Sequence, residues 1–237
     1  MKEHPILFSG PLVRAILEGR KTQTRRIVKP QPVASPGYEH ATAFHADTEY
    51  SRALGATFAG RDTNPLRWWF ADASGPRAAY ACPYGSPGDR MWVRETWCLA
   101  HTDYHDTDKE AGTRPVKDGR FCFYAATDDV DTGDGSPWKP SIHMPRWASR
   151  ITLEVTAVRV ERLQVISEDD ARAEGIPDRC DHGCSSLCSC ASCIEGGCQT
   201  AAAQYATLWD DINGDRAAWS SNPWVWVVEF KRIGGAP

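Results

Sequence analysis

The chain has 237 residues, 41% of them hydrophobic and 24% charged. That length fits one domain with insertions or one domain plus a mini-module, and the composition supports a real core. A net charge of −4 excludes a strongly basic nucleic-acid binder, so any nucleic-acid contact must come from a local basic patch or from a pocket for a small neutral ligand.

The first apolar run, residues 5–8, is broken by Ser9, Gly10, Pro11 and Arg14, which leaves no signal-peptide core. No stretch approaches the roughly 20 apolar residues of a membrane span. The expected location is cytoplasmic, with no membrane partner. A helix follows: Ser9 or Gly10 caps it, Pro11 suits its first turn, and Leu12, Val13, Ile16 and Leu17 form one stripe. Gly19 ends it. Residues 21–28 then read as extended, halted at Pro30.

Residues 30–86 show no sustained period and read as a long excursion, with Trp68, Trp69 and Phe70 as one short strand. Gly88 to Arg90 is a turn and residues 91–97 a strand. Residues 101–140 are polar, with one short strand at 120–125. In residues 150–166, Ile151, Leu153 and Val155 alternate and the phase then slips to Val158 and Val160, which predicts a bulge or a barrel corner. Ser167 caps a short helix with Asp170 at its third position, and Gly175 ends it. A helix at 201–212 places Tyr205, Leu208, Trp209 and Ile212 on one face. The last strand, 223–233, is apolar on both faces, as a central strand is. No strand–helix–strand unit repeats. The expectation is an α+β chain: a barrel of about six mostly antiparallel strands with three short helices. Ten Trp supply core bulk and, where exposed, stacking faces for bases.

Gly19 to Arg26 holds four cations and three hydroxyl or amide side chains in eight residues, directly after a helix end. A solvated basic strand would look the same from composition alone. The spacing Gly-x-Lys-x-x-(Glu/Thr)-x-Arg, here Gly19, Lys21, Thr24 and Arg26, resembles the signature of ASCH domains, relatives of the PUA barrels. The opening PILFSGPLVRAILEGRKTQTRR also looks like ASCH proteins of phages and prophages. GDRMWVRETW and NPWVWVVEFKRI fit the same pattern. The resemblance covers roughly residues 5–30, 86–98, 144–176 and 200–233. It implies a single PUA-like domain over 1–237, with insertions at 31–85 and 99–143 and a zinc-knuckle-like insertion at 177–199.

The resemblance further implies a barrel cleft over the signature, taking RNA or a modified nucleoside. Some similar bacterial proteins are amidohydrolases that remove the acyl group from N4-acylated cytosine nucleosides such as N4-acetylcytidine; others are ribonucleases. In the amidohydrolases a lysine and a threonine of the signature work with a glutamate from a later strand. These positions correspond to Lys21 and Thr24, with Glu95 as the glutamate. The chemistry is coherent. A threonine hydroxyl needs a base to become a nucleophile, and a lysine is that base when burial or nearby cations such as Arg25 and Arg26 lower its pKa. Glu95 would relay a proton to the leaving amine, and Arg26 or a backbone N–H would hold the oxyanion. A regular strand places Thr24 and Arg26 on one face and Lys21 on the other, so Lys21 joins them only if the chain bends after Gly19. Three readings follow: an amidohydrolase, a non-catalytic RNA or modified-base binding module, and a ribonuclease. The last is weakened because His4 and His143 are the only histidines in the core segments.

Two further groups stand out. Arg146, Ser149 and Arg150 with Trp147 form a set able to contact phosphate or a base edge, or simply the polar start of a strand. Six of the nine cysteines, Cys180, Cys184, Cys188, Cys190, Cys193 and Cys198, lie within 19 residues together with His182. Cys190-x-x-Cys193 has zinc-ligand spacing, and a cytosolic chain disfavours disulfides. A structural Zn²⁺ is expected, because a Gly- and Ser-rich loop has almost no core of its own. Cys82, Cys98 and Cys122 stand apart as core thiols.

Overall fold

The computed structural model describes residues 1–33, 43–46, 67–72, 75–100, 116–117, 119–128, 136–177 and 200–234. Its centre is β11 (Trp224–Ile233), hydrogen-bonded on one side to β10 (Thr152–Arg162) and on the other to β2 (Gln23–Ile27). Both faces of β11 are covered, which explains its two-sided apolar pattern. Trp224, Trp226, Val228 and Phe230 join a cluster with Ile6, Phe8, Val13 and Met91. Val225 and Val227 join a second cluster with Leu163, Tyr205 and Trp209. Each fully buried large apolar side chain contributes about 1.5–3 kcal/mol, so these two layers hold the sheet between them.

The five-stranded sheet runs β1 (Glu3–Leu7), β6 (Arg90–Arg94), β10, β11, β2. Its pairs are antiparallel except β1 with β6, which is parallel. The expected phase slip is a register shift between Val155 and Ala157, where β10 bulges against β11. Among the described residues no backbone ladder joins the edge strands β1 and β2, so the sheet is open where a closed barrel was expected. One side chain spans the gap: Arg26 Nη2 donates to the Leu7 carbonyl at 2.6 Å.

The strand count exceeds the expected six because the excursions contain sheet. β3 (Ala43–Ala46), β4 (Arg67–Asp72) and β5 (Gly75–Ala81) form one three-stranded sheet. β7 (Trp97–Ala100), β9 (Arg120–Tyr124) and β8 (Val116–Lys117) form another, in that order. Such short segments are too brief for a period to stand out. The strand expected at 91–97 is also divided. β6 ends at Arg94 and β7 begins at Trp97 in a different sheet, leaving Glu95 and Thr96 at the break.

Among the described residues there are three α-helices: α1 (Gly10–Leu17), α2 (Glu168–Ala173) and α3 (Ala201–Asn213). Ser9 is the N-cap residue of α1 but makes no side-chain cap bond. Ser167 and Asp170 complete a capping box on α2. On α3, Tyr205 and Trp209 are buried while Ile212 is exposed, so the inward stripe is narrower than its sequence predicts. Among the described residues no helix is long and apolar enough to cross a membrane.

Candidate active site around Lys21

Two helix ends meet the start of β2. After α1 the chain turns through Gly19, whose φ of +76° favours glycine. Lys21 N then donates to the Ala15 carbonyl at 2.9 Å and Thr22 N to the Ala173 carbonyl at 2.9 Å. Lys21 and Glu174 form an isolated antiparallel bridge. The close docking depends on Gly175, at φ +96°: a Cβ there would lie 3.0 Å from Ala15 Cβ and 3.2 Å from Lys21 Cβ. The bend after Gly19 thus occurs, and it changes which face Lys21 presents.

Lys21 Nζ donates to Glu174 Oε2 at 2.6 Å and to the Glu174 carbonyl at 2.8 Å. The two side chains are 1% and 4% exposed. Burial pushes the Lys21 pKa down; the Glu174 carboxylate opposes this, and Arg26 and Arg25 add to the lowering. The ammonium also lies 5.6 Å from the centre of the Phe8 ring, and the Arg26 guanidinium 5.1 Å from the same centre. Lys21 and Arg26 therefore share one aromatic ring.

Thr24 is buried and paired with Val228 across the ladder, as Arg26 is with Trp226. Cross-strand partners point to the same side of a sheet, and Val228 and Trp226 pack in the cluster that contains Phe8. Thr24 and Arg26 hence belong to one face, and the Lys21 ammonium reaches the Phe8 ring beside it while its partner Glu174 also meets Arg25. Arg25, paired with Val227, turns the other way. Its fully buried side chain donates from Nη2 to Asp170 Oδ2 at 3.1 Å and to Glu161 Oε2 at 3.3 Å. Its Nη1 lies 3.8 Å from Glu174 Oε1. Arg25 is thus placed behind the site, against its glutamate.

The remaining candidate residues lie elsewhere. Glu95 is buried at the break between β6 and β7 and takes a two-pronged pair from Arg150, Nε to Oε1 at 3.0 Å and Nη2 to Oε2 at 2.9 Å. Burial raises its pKa, Arg150 opposes that, and Asp128 adds to it. No contact joins Glu95 to Lys21 or Thr24 among the described residues. The carboxylate placed on Lys21 belongs instead to Glu174, at the end of an acid-rich helix where sequence reading had not sought it. Arg146 pairs with Glu3 from Nε at 2.8 Å, and Ser149 Oγ donates to the Val93 carbonyl at 2.8 Å. Both serve the β1–β6 edge. Trp147 stands edge-on to Trp97 at 5.8 Å.

Arg26 connects the buried site to a surface cleft of about 290 Å³, whose walls also include Lys29, Tyr84, Asn213, Arg216 and Trp226. The cleft stops short of Lys21 itself. Cys180, Cys184, Cys188, Cys190, Cys193 and Cys198 lie outside the described residues, among which no group of His, Cys, Asp or Glu is arranged to hold a metal. Cys82, Cys98 and Cys122 are buried, and burial pushes the Cys82 thiol up to about 12. No family model, curated protein or solved structure matches the chain.

Proposed function

We propose that this chain is a PUA-like domain of the ASCH type and an amidohydrolase that removes the acyl group from N4-acylated cytosine nucleosides. The observation that carries the reading is the buried Lys21–Glu174 pair three residues from Thr24 in the signature segment. A desolvated lysine with a lowered pKa gives up its proton more readily than a solvated one, and perturbed groups of this kind concentrate at functional sites. The contact from Arg26 at one sheet edge to Leu7 at the other supports a curled, barrel-like arrangement.

In this mechanism Thr24 Oγ attacks the acyl carbonyl carbon while neutral Lys21 takes its proton. Arg26 or a backbone N–H stabilises the oxyanion. The Lys21 ammonium, held by Glu174, returns the proton to N4 as the C–N bond breaks and the cytosine nucleoside leaves. Water then attacks the Thr24 ester, gives a proton to Lys21, and releases the acid as Thr24 Oγ regains its proton. Glu174 is the carboxylate partner in this mechanism in place of Glu95, but it positions Lys21, which itself returns the proton.

A non-catalytic RNA or modified-base binding module is favoured by one observation: Lys21 and Glu174 are closed off from solvent and paired with each other. Incubation with N4-acetylcytidine separates the two. Cytidine release that disappears in Thr24→Val supports the hydrolase; binding without release by the folded protein supports the module.

A further inference from the structure

The cleft beside the site carries two cations, Lys29 and Arg216, that the hydrolytic reading does not use. Three cations, Arg26, Lys29 and Arg216, line it, and none of its described lining residues is acidic. Lys29 and Arg216 are exposed, and among the described residues neither is in a salt bridge. This contrasts with Arg25, Arg146, Arg150 and Arg159, each of which meets a carboxylate. The cations come from different parts of the fold: β2, the segment just after it, and the chain beyond α3. Asn213 and Tyr84 add an amide and a phenol to the same walls. Burial holds the Tyr84 hydroxyl in its neutral, donating form. Donors and positive charge converging without a counter-charge make a site for an anion with several oxygens.

Arg26 lines the cleft with one side of the sheet gap and shares the Phe8 ring with Lys21. A ligand whose base reaches the Lys21–Thr24 site would carry its sugar-linked groups toward the cleft. The volume of about 290 Å³ holds one small group and is not a track for a strand. The net charge of −4 also disfavours a polyanion.

We infer that the Arg26–Lys29–Arg216 cleft binds the phosphate of a single nucleotide, so that the site takes a cytosine nucleoside monophosphate in preference to the free nucleoside. This rests on the base-recognition part of the proposed function but not on hydrolysis. Calorimetric titration of the full chain with cytidine 5′-monophosphate, cytidine and a short oligocytidylate tests it. Charge-assisted hydrogen bonds to one phosphate shift affinity by about tenfold or more, so the monophosphate is expected to bind at least that much more tightly than cytidine. Lys29→Ala with Arg216→Ala, both exposed and safe for folding, should remove the preference; Lys231→Ala, away from the cleft, should leave it. Equal binding of the two ligands, binding of neither, or a preference that survives the double substitution would overturn the inference. So would tighter binding of the oligocytidylate than of the monophosphate, which would point to a strand-binding surface. Hydrolysis is no part of this readout: its absence with the phosphate preference intact counts against the amidohydrolase alone.

Discussion

The Lys21 ammonium lies 2.6 Å from Glu174 Oε2 in surroundings that leave both side chains almost without solvent. Burying two charges is costly, and replacing such a pair by apolar groups is often neutral or stabilising. Lys21→Met should therefore destabilise the protein by about 3–5 kcal/mol, since it leaves the Glu174 carboxylate buried with Arg25, among the described residues, as its remaining ion-pair partner. Lys21→Met combined with Glu174→Leu should recover most of that loss while remaining inactive. Urea denaturation of the two variants checks this; additive losses would mean that the pair is not coupled.

The pH dependence follows from the lowered Lys21 pKa. Activity needs the neutral amine, so kcat/KM should rise with pH and reach its midpoint below the ordinary lysine value of 10.5. Glu174 holds that pKa up against burial, so Glu174→Gln should move the midpoint to lower pH even as the rate falls. The same group affects stability: its contribution is fully present above 10.5 and is lost as pH falls through the folded-state value. A pH–rate profile of both proteins gives the comparison.

Glu95 behaves in the opposite sense. Its pKa is raised by burial, so its stabilising contribution is present below the ordinary carboxyl value of 4.5 and is lost as pH rises through the folded-state value. Denaturation midpoints of the native protein should fall relative to Glu95→Gln across that window. Arg150→Met removes the group that opposes the shift and should widen the window upward.

The cysteine-rich segment is proposed to hold a structural Zn²⁺. Metal analysis of purified protein should find at least one zinc per chain, lost in Cys190→Ser with Cys193→Ser and retained in Cys98→Ser. Chelation should lower Tm. Cys82, its thiol pushed up to about 12, should stay silent toward alkylating reagents in the folded chain.

How far sequence alone reached depended on locality. The Lys21–Thr24–Arg26 group stood out because its members share one short segment, and the bulge in β10 because a phase slip is visible within one strand. Glu174 did not stand out: it follows Glu168, Asp169 and Asp170 on α2, and nothing local distinguishes one carboxylate from the others. Only the bridge across to Lys21, 153 residues away, selects it. The available hint was the Gly175 that follows it, a residue needed where two backbones approach closely. Glu95 was read within one continuous strand, whereas the chain breaks there between two sheets and Arg150 pairs with its carboxylate, a contact 55 residues away that no local pattern shows.

The most direct test of the Lys21–Glu174 site is kcat/KM for N4-acetylcytidine hydrolysis in the native protein and in Lys21→Ala, Glu174→Gln and Glu95→Gln. Losses of about 100-fold or more are expected for the first two variants, the range for removing a positioned acid–base group, with Glu95→Gln near the native rate. A Glu174→Gln protein as active as the native one, with activity lost in Glu95→Gln, would contradict the assignment.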